Sequence, residues 1–295
     1  MRFGIMAMQL NALIPPDLPA DQVLTHIAQF DHASLVGDLA DRGFRLIELG
    51  GDLSIFLPHT FHPEAVHRLA ALKAEKNLDY TLHLPLWSVE PSTPLTPVRE
   101  GSVQAVIDTI IATLPLEPEC YVLHATGALA AEFYRMRISE TAKSLLLRQF
   151  QASALHSLET ILKLAEIEPR RLAIETIEFP LELTLELANQ LDLSICFDTG
   201  HVLAGFSGGR DFFTALEMCL PRLGEVHLHD CPAYLERGEI QYGNDHQPLG
   251  KGDLDTVQLL ERLERAGFNG PIIFELQLEQ ALESLEVVRT IQGTY

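Results

Sequence analysis

The feature that most constrains this chain is an alternation. Short apolar runs that end in polar residues recur at Phe3 to Leu10, Arg45 to Gly50, Tyr80 to Leu84, Cys120 to Ala125, Leu172 to Ile177, Leu193 to Asp198, Glu225 to His229 and Pro271 to Leu276. Between them lie segments with Leu, Ala, Ile and Val at helical spacing, among them Val23 to Arg42, Glu64 to Lys76, Arg99 to Thr113, Ser139 to Glu166 and Leu254 to Ala266. Such alternation demands parallel strands joined by helical crossovers, and eight repeats are the number that closes a (β/α)8 barrel. A doubly wound open sheet is the alternative. Against it, no G-x-G-x-x-G follows the first run, and the polar residues are spread over many runs instead of gathering at one switch point. The expected architecture is α/β: a single (β/α)8 TIM barrel domain over residues 1–295, with no interdomain linker. Long stretches after the third, sixth and seventh runs, carrying Pro91, Pro94 and Pro97, then Gly205, Gly208 and Gly209, then Tyr234 to Asp253, read as loops on one rim.

Composition narrows the partners. Hydrophobic residues make up 47% and charged residues 21%, enough for a large core and inconsistent with global disorder. Lys and Arg number 21 against 41 Asp and Glu, a net charge of -20 that repels polyanions. A small-molecule substrate is expected, and nucleic acid is disfavoured. Cys120, Cys196, Cys219 and Cys231 show no C-x-x-C spacing and read as core residues of a reducing compartment. The first residues are poorly built for a signal peptide, and no stretch reaches the ~18 uninterrupted apolar residues of a membrane span. A soluble, cytoplasmic protein is expected.

The ends of the runs carry the chemistry. They close as YTLHLP with His83, YVLHA with His124, LAIET with Glu175, ICFDTGH with Asp198 and His201, EVHLHD with His227, and IIFEL with Glu275. Strand alternation turns Leu82, Leu123, Ile174, Phe197, Val226 and Phe274 toward the helices and the polar residues toward the axis. A lone strand histidine is more often a hydrogen-bonded core residue than a ligand. Jointly, that reading weakens: unpaired carboxylates and imidazoles among aliphatics cost roughly several kcal/mol each, and cations in the runs are nearly absent. Bound divalent metal is the cheaper explanation. Glu48 also points inward and is a candidate substrate contact. His229 shares the face of His227 but lies nearer the rim, and Asp230 is a candidate acceptor that orients an imidazole. His26, His32, His59, His62, His67 and His156 lack this placement and are read as surface or packing residues.

The ordered set of HLP at His83, LHA at His124, IET at Glu175, FDTGH at Asp198 to His201, VHLHD at His227, DHQPLGKG at Asp245 to Gly252 and FEL at Glu275 resembles the xylose-isomerase-like barrels, in particular the endonuclease IV branch. The resemblance spans essentially the whole chain. It implies a metal-dependent phosphodiesterase with two to three divalent ions: His83, His124 and Glu175 on one, Glu175 bridging to a second held by Asp198, His227 and Glu275, and a third held by His201, His246 and a carboxylate two residues before His246. Here that position is Asn244, and the nearby acid is Asp245, one step out of register. HLPLW, the segment Ile177 to Pro180 and GHVLAGF are most similar to cobamide-remodelling phosphodiesterases.

The expected reaction is hydrolysis of a phosphodiester, with Glu175 as the bridging ligand and Glu275 as a ligand that also accepts the water proton. Imidazole and carboxylate donors suit Zn, Mn or Fe. The enzymatic alternative is a sugar or sugar-phosphate isomerase or epimerase, which needs one metal on Glu175, Asp198, His227 and Glu275 and leaves His83, His124 and His246 surplus. The non-enzymatic alternative is a corrinoid or sugar-phosphate binding protein. Substrate, metal identity and oligomeric state stay open at this level.

Overall fold

A computed structural model describes residues 1–293. Eight parallel strands close a barrel in chain order: β1 (Arg2–Met6), β2 (Leu46–Gly50), β3 (Asp79–His83), β4 (Tyr121–Leu123), β5 (Leu172–Glu175), β6 (Ser194–Asp198), β7 (Leu223–Leu228) and β8 (Pro271–Phe274). Closure runs through β1, which pairs Ile5 with Ile47 of β2 on one side and with Phe274 of β8 on the other. Most strands end before their apolar runs do, because the terminal residues, Leu10, Leu84, Ala125, Ile177 and Leu276 among them, lie outside the ladder.

Alternation sorts the side chains as expected. Leu82, Leu123, Ile174, Phe197, Val226 and Phe274 pack outward into the main core between sheet and helices. Inside the barrel the apolar filling is small: Cys120, Val122, Ala173 and Cys196 form one cluster, and Met6, Leu46 and Ile273 another. All four cysteines are buried and free. Above these clusters the interior turns polar, and the strand ends point their imidazoles and carboxylates at the loops. Among the described residues no helix is long and apolar enough to cross a membrane.

One expected helix is broken. Val23 to Arg42 splits into Val23–Gln29 and His32–Asp41, because Phe30 and Asp31 adopt extended backbone. Asp31 is a residue type that starts helices, and its carboxylate accepts from the Ser34 hydroxyl at 2.8 Å. By contrast Glu140–Ala165 runs unbroken, opened by Ser139 accepting from the Ala142 N–H and ended by left-handed Glu166.

At the base of the barrel Gly4 is required by close approach. A Cβ there would lie 2.5 Å from the Leu46 carbonyl oxygen and 2.8 Å from Ile273 Cδ1. Gly4→Ala therefore forces β1 away from both neighbours, and the expected loss is about 1–3 kcal/mol, the usual cost of overpacking. Urea unfolding of the two proteins measures it; an unchanged midpoint contradicts the packing.

Candidate metal centre

The site is assembled around Glu175. Its Oε2 lies 3.1 Å from His83 Nε2 and 3.1 Å from His124 Nε2, while its Oε1 lies 3.0 Å from His201 Nδ1. Beside it, His227 Nδ1 is 3.4 Å from Glu275 Oε2 and 3.8 Å from Asp198 Oδ2. His83, His124 and Glu175 thus form one group of donors within 4.8 Å of one another, and Glu175, Asp198, His227 and Glu275 form a second.

The donor set fits divalent cations on a specific observation. Glu175 Oε1, His201 Nδ1, His227 Nδ1 and Glu275 Oε2 are all buried, and none has a hydrogen-bond partner. They sit 3.0–3.5 Å from one another's carboxylates without the alignment a hydrogen bond needs. Lone pairs aimed at a common point are stable when a cation occupies it.

Two imidazoles are held in the tautomer that ligation requires. His83 Nδ1 donates to the Leu84 carbonyl at 2.9 Å, which leaves Nε2 facing Glu175. His227 Nε2 donates to Glu48 Oε1 at 3.2 Å, which leaves Nδ1 facing the carboxylates. Glu48 is fully buried beneath this layer, so it is a support for His227 and not the substrate contact expected from its inward direction.

Other expectations change in the loops. Asp230 does not orient an imidazole: its carboxylate accepts from the backbone N–H groups of Cys231, Gly250 and Leu254 at 2.9 Å each, and so pins the loop that carries His246. His229 is not at the rim but fully buried. Its Nδ1 accepts from the His246 N–H at 2.9 Å, so a neutral ring carries its proton on Nε2 and donates it to Asp198 Oδ2 at 3.0 Å. Although its atoms lie close to those of His201 and His246, this hydrogen bonding makes His229 a support for Asp198. Gly200 makes room for it, since a Cβ there would lie 2.0 Å from His229 Cε1.

The out-of-register acid is brought into reach by the backbone. His246 has a φ of 56°, left-handed and unusual for a residue other than glycine. This turn sets Asp245 Oδ2 2.8 Å from His246 Nδ1 and 3.8 Å from His201 Nε2. Asn244 instead bonds Gln241 at 3.4 Å. Asp245, His201 and His246 are thus gathered at one place, next to Glu275, whose Oε2 is 3.5 Å from His246 Nε2.

Residues 36–291 match the model of the xylose isomerase-like TIM barrel family. The chain belongs to that family. An uncharacterized protein of Methanocaldococcus jannaschii is 24% identical over 243 residues, 78% of this chain and 76% of its own length. Among solved structures, a D-tagatose 3-epimerase-like protein superposes with a TM-score of 0.73 at 20% identity, covering 100% of this chain and 98% of its own. Endonuclease IV from Thermus thermophilus superposes with a TM-score of 0.62 at 19% identity, covering both chains completely. These likenesses show the fold.

The strand pattern also contained a residue that sequence reasoning left unassigned. Glu225 has the same parity as His227 and is fully buried beneath it, accepting from the Thr81 hydroxyl at 3.0 Å. Burial, with Glu48 alongside, raises its carboxyl well above the usual range. The signal was present in the alternation of EVHLHD, in which residues 225, 227 and 229 share a face.

Burial opposes a charge on His83 and His201, but Glu175, joined by Asp198 for His201, outweighs it and raises both to about 9 from 6.5. In metal-free protein these histidines contribute stability that is whole below about pH 6.5 and is lost as the pH climbs through about 9. Cations must displace the same protons, so metal affinity strengthens over that window. Calorimetry should show the melting temperature of metal-free protein falling from pH 6.5 to 9 while metal binding tightens; a flat response in both contradicts the paired arrangement.

Glu48→Gln keeps the volume but can turn its amide N–H toward His227, removing the acceptor that fixes the ring. Metal affinity should fall about 10–100-fold with the fold intact. Competition with a chromogenic chelator reads the affinity, and wild-type binding would remove Glu48 from this role.

Proposed function

We propose that the protein is a metal-dependent phosphodiesterase acting on a small-molecule phosphodiester. The observation that supports this reading is the use made of Glu175: its Oε2 faces His83 and His124 and also lies 3.5 Å from His227 Nδ1, while its Oε1 faces His201. One carboxylate therefore belongs to two donor groups. A single-metal isomerase needs only Glu175, Asp198, His227 and Glu275, and gives no task to His83, His124, His246 and Asp245. That four-donor group is nonetheless complete in itself, which keeps epimerisation of a sugar as the second reading.

When bound, divalent cations, Zn, Mn or Fe by the donor chemistry, neutralise charge on the phosphate oxygens and acidify the attacking water. The chain's own groups do the rest. Glu175 and Asp198 fix the seats, His229 and Glu48 hold Asp198 and His227 in place, and Glu275 turns an unpartnered oxygen into the same space. Glu275 takes one proton of the attacking water as its oxygen bonds to phosphorus. The bond from phosphorus to one alcohol oxygen breaks, the proton taken by Glu275 is passed on to that leaving oxygen, and one water is consumed for each monoester and alcohol formed.

The charge of -20 weighs against a DNA backbone as substrate. The mouth is lined by Met6, Met8, Leu86 and Trp87, apolar surface suited to a bulky neutral group such as the ring system of a cobamide. Parallel incubation of metal-loaded protein with a cobamide, a duplex bearing an abasic site and a ketose tests the reading, together with metal analysis. Two or three metals per chain with cobamide cleavage is the expected result. One metal with epimerised ketose favours the isomerase, and efficient nicking of the duplex favours repair.

Glu175→Gln should lower turnover on the order of a hundredfold or more and reduce the metal content, with unchanged circular dichroism. Full activity at wild-type metal loading would remove Glu175 from the centre.

A further inference from the structure

The metal centre is flanked by two adjoining cavities. One, of about 410 Å³, is walled by Met6, Met8, Leu10 and Leu276 and reaches Glu275 and His246. The other, of about 530 Å³, lies on the opposite side, between Thr126, Ala128, Arg135, Glu178 and Phe206. They meet at four shared residues, Leu86, Trp87, His124 and His201. Two of these belong to the metal centre and two form the loop after β3.

That loop is fixed in position. Asp52, itself buried, accepts from the backbone N–H groups of Leu86 and Trp87 at 3.1–3.4 Å, which leaves the indole 52% exposed on the divide between the cavities. Two of the second cavity's lining residues, Phe206 and Arg135, are braced from behind by Tyr242, which does not line it. His201 lies 5.2 Å from Phe206, Phe206 stacks on Tyr242 at 5.2 Å, and the Arg135 guanidinium lies 4.9 Å from the Tyr242 ring centre. Arg135 also pairs with Glu178 at 2.8 Å, so this wall offers donors and an acceptor side by side.

We infer that the substrate is two-armed: its phosphorus sits where the cavities meet, and both alcohol components are large, one filling the first cavity and the other the second, with its polar groups toward Arg135 and Glu178. This rests on the phosphodiesterase reading and adds that neither a monoester nor a diester with one small ester group uses the whole site. Each arm removes its own apolar area from water.

The test uses metal-loaded protein and three probes: bis(4-nitrophenyl) phosphate, methyl 4-nitrophenyl phosphate and 4-nitrophenyl phosphate. After correction for their rates with hydroxide alone, kcat/KM for the two-armed diester should exceed that for the methyl diester by about tenfold or more. Ala128 is exposed at the start of its helix, and Ala128→Trp fills the second cavity; the preference should then fall at least fivefold. Arg135→Ala should raise KM for the two-armed diester more than it lowers kcat. Equal efficiency on the two diesters, or a preference that survives Ala128→Trp, overturns the two-armed site while leaving the phosphodiesterase reading standing. Hydrolysis of the monoester alone, or of none of the three, overturns both.

Discussion

Three carboxylates, Glu175 and Asp198 fully buried and Glu275 largely so, crowd the mouth of the barrel where water screens them little, and their mutual repulsion is the constraint the surrounding structure answers. The answer is a ring of imidazoles from β3 through β7 and the loop beyond. Burial favours the neutral carboxyl, yet His124 and His227 outweigh it and hold Glu175 well below the usual carboxylate range; His227 and His246 do the same for Glu275. In the layer beneath, the opposite solution operates. Glu48 and Glu225 are also crowded, and there burial raises the Glu225 carboxyl well above the usual range. The barrel thus sets an upper layer of ligands on a lower layer that holds His227 in place.

Much of this was legible in the sequence, because two periodicities coincide. The alternation along each strand separates Phe197 from Asp198 and Phe274 from Glu275, and the repetition of strand and helix brings those ends to one rim. His83, His124, Glu175, Asp198, His201, His227 and Glu275 are therefore found together although they are spread over most of the chain. Glu48 had its direction assigned correctly and its depth wrongly. Parity says which way a side chain points, not which layer of the barrel it occupies, and the pairing of Glu48 with Thr81 sets it one layer below His83.

The loops were harder to read for a physical reason. Whether Asp245 can stand in for the residue two places before His246 depends on a single φ angle, and no pattern of hydrophobicity reports it. The roles of His229 and Asp230 likewise follow from which N–H groups the folded loop presents: the amide of His246 to one, those of Cys231, Gly250 and Leu254 to the other. Such hydrogen bonds are decided by three-dimensional closure, not by spacing along the chain. The break at Phe30 and Asp31 belongs to the same class, since helical spacing continues across it while the backbone does not.

The way β1 closes the barrel bears on how the chain can be divided. The family's shared stretch, residues 36–291, begins after β1, yet β1 is the only described strand bonded to both β2 and β8. A polypeptide trimmed to the shared stretch would keep every residue of the metal centre and lose the seam. Two edges rich in Ile, Leu and Phe would then stand open to other chains. Its fate would be intermolecular pairing, with a full set of ligands on a sheet that cannot close around them.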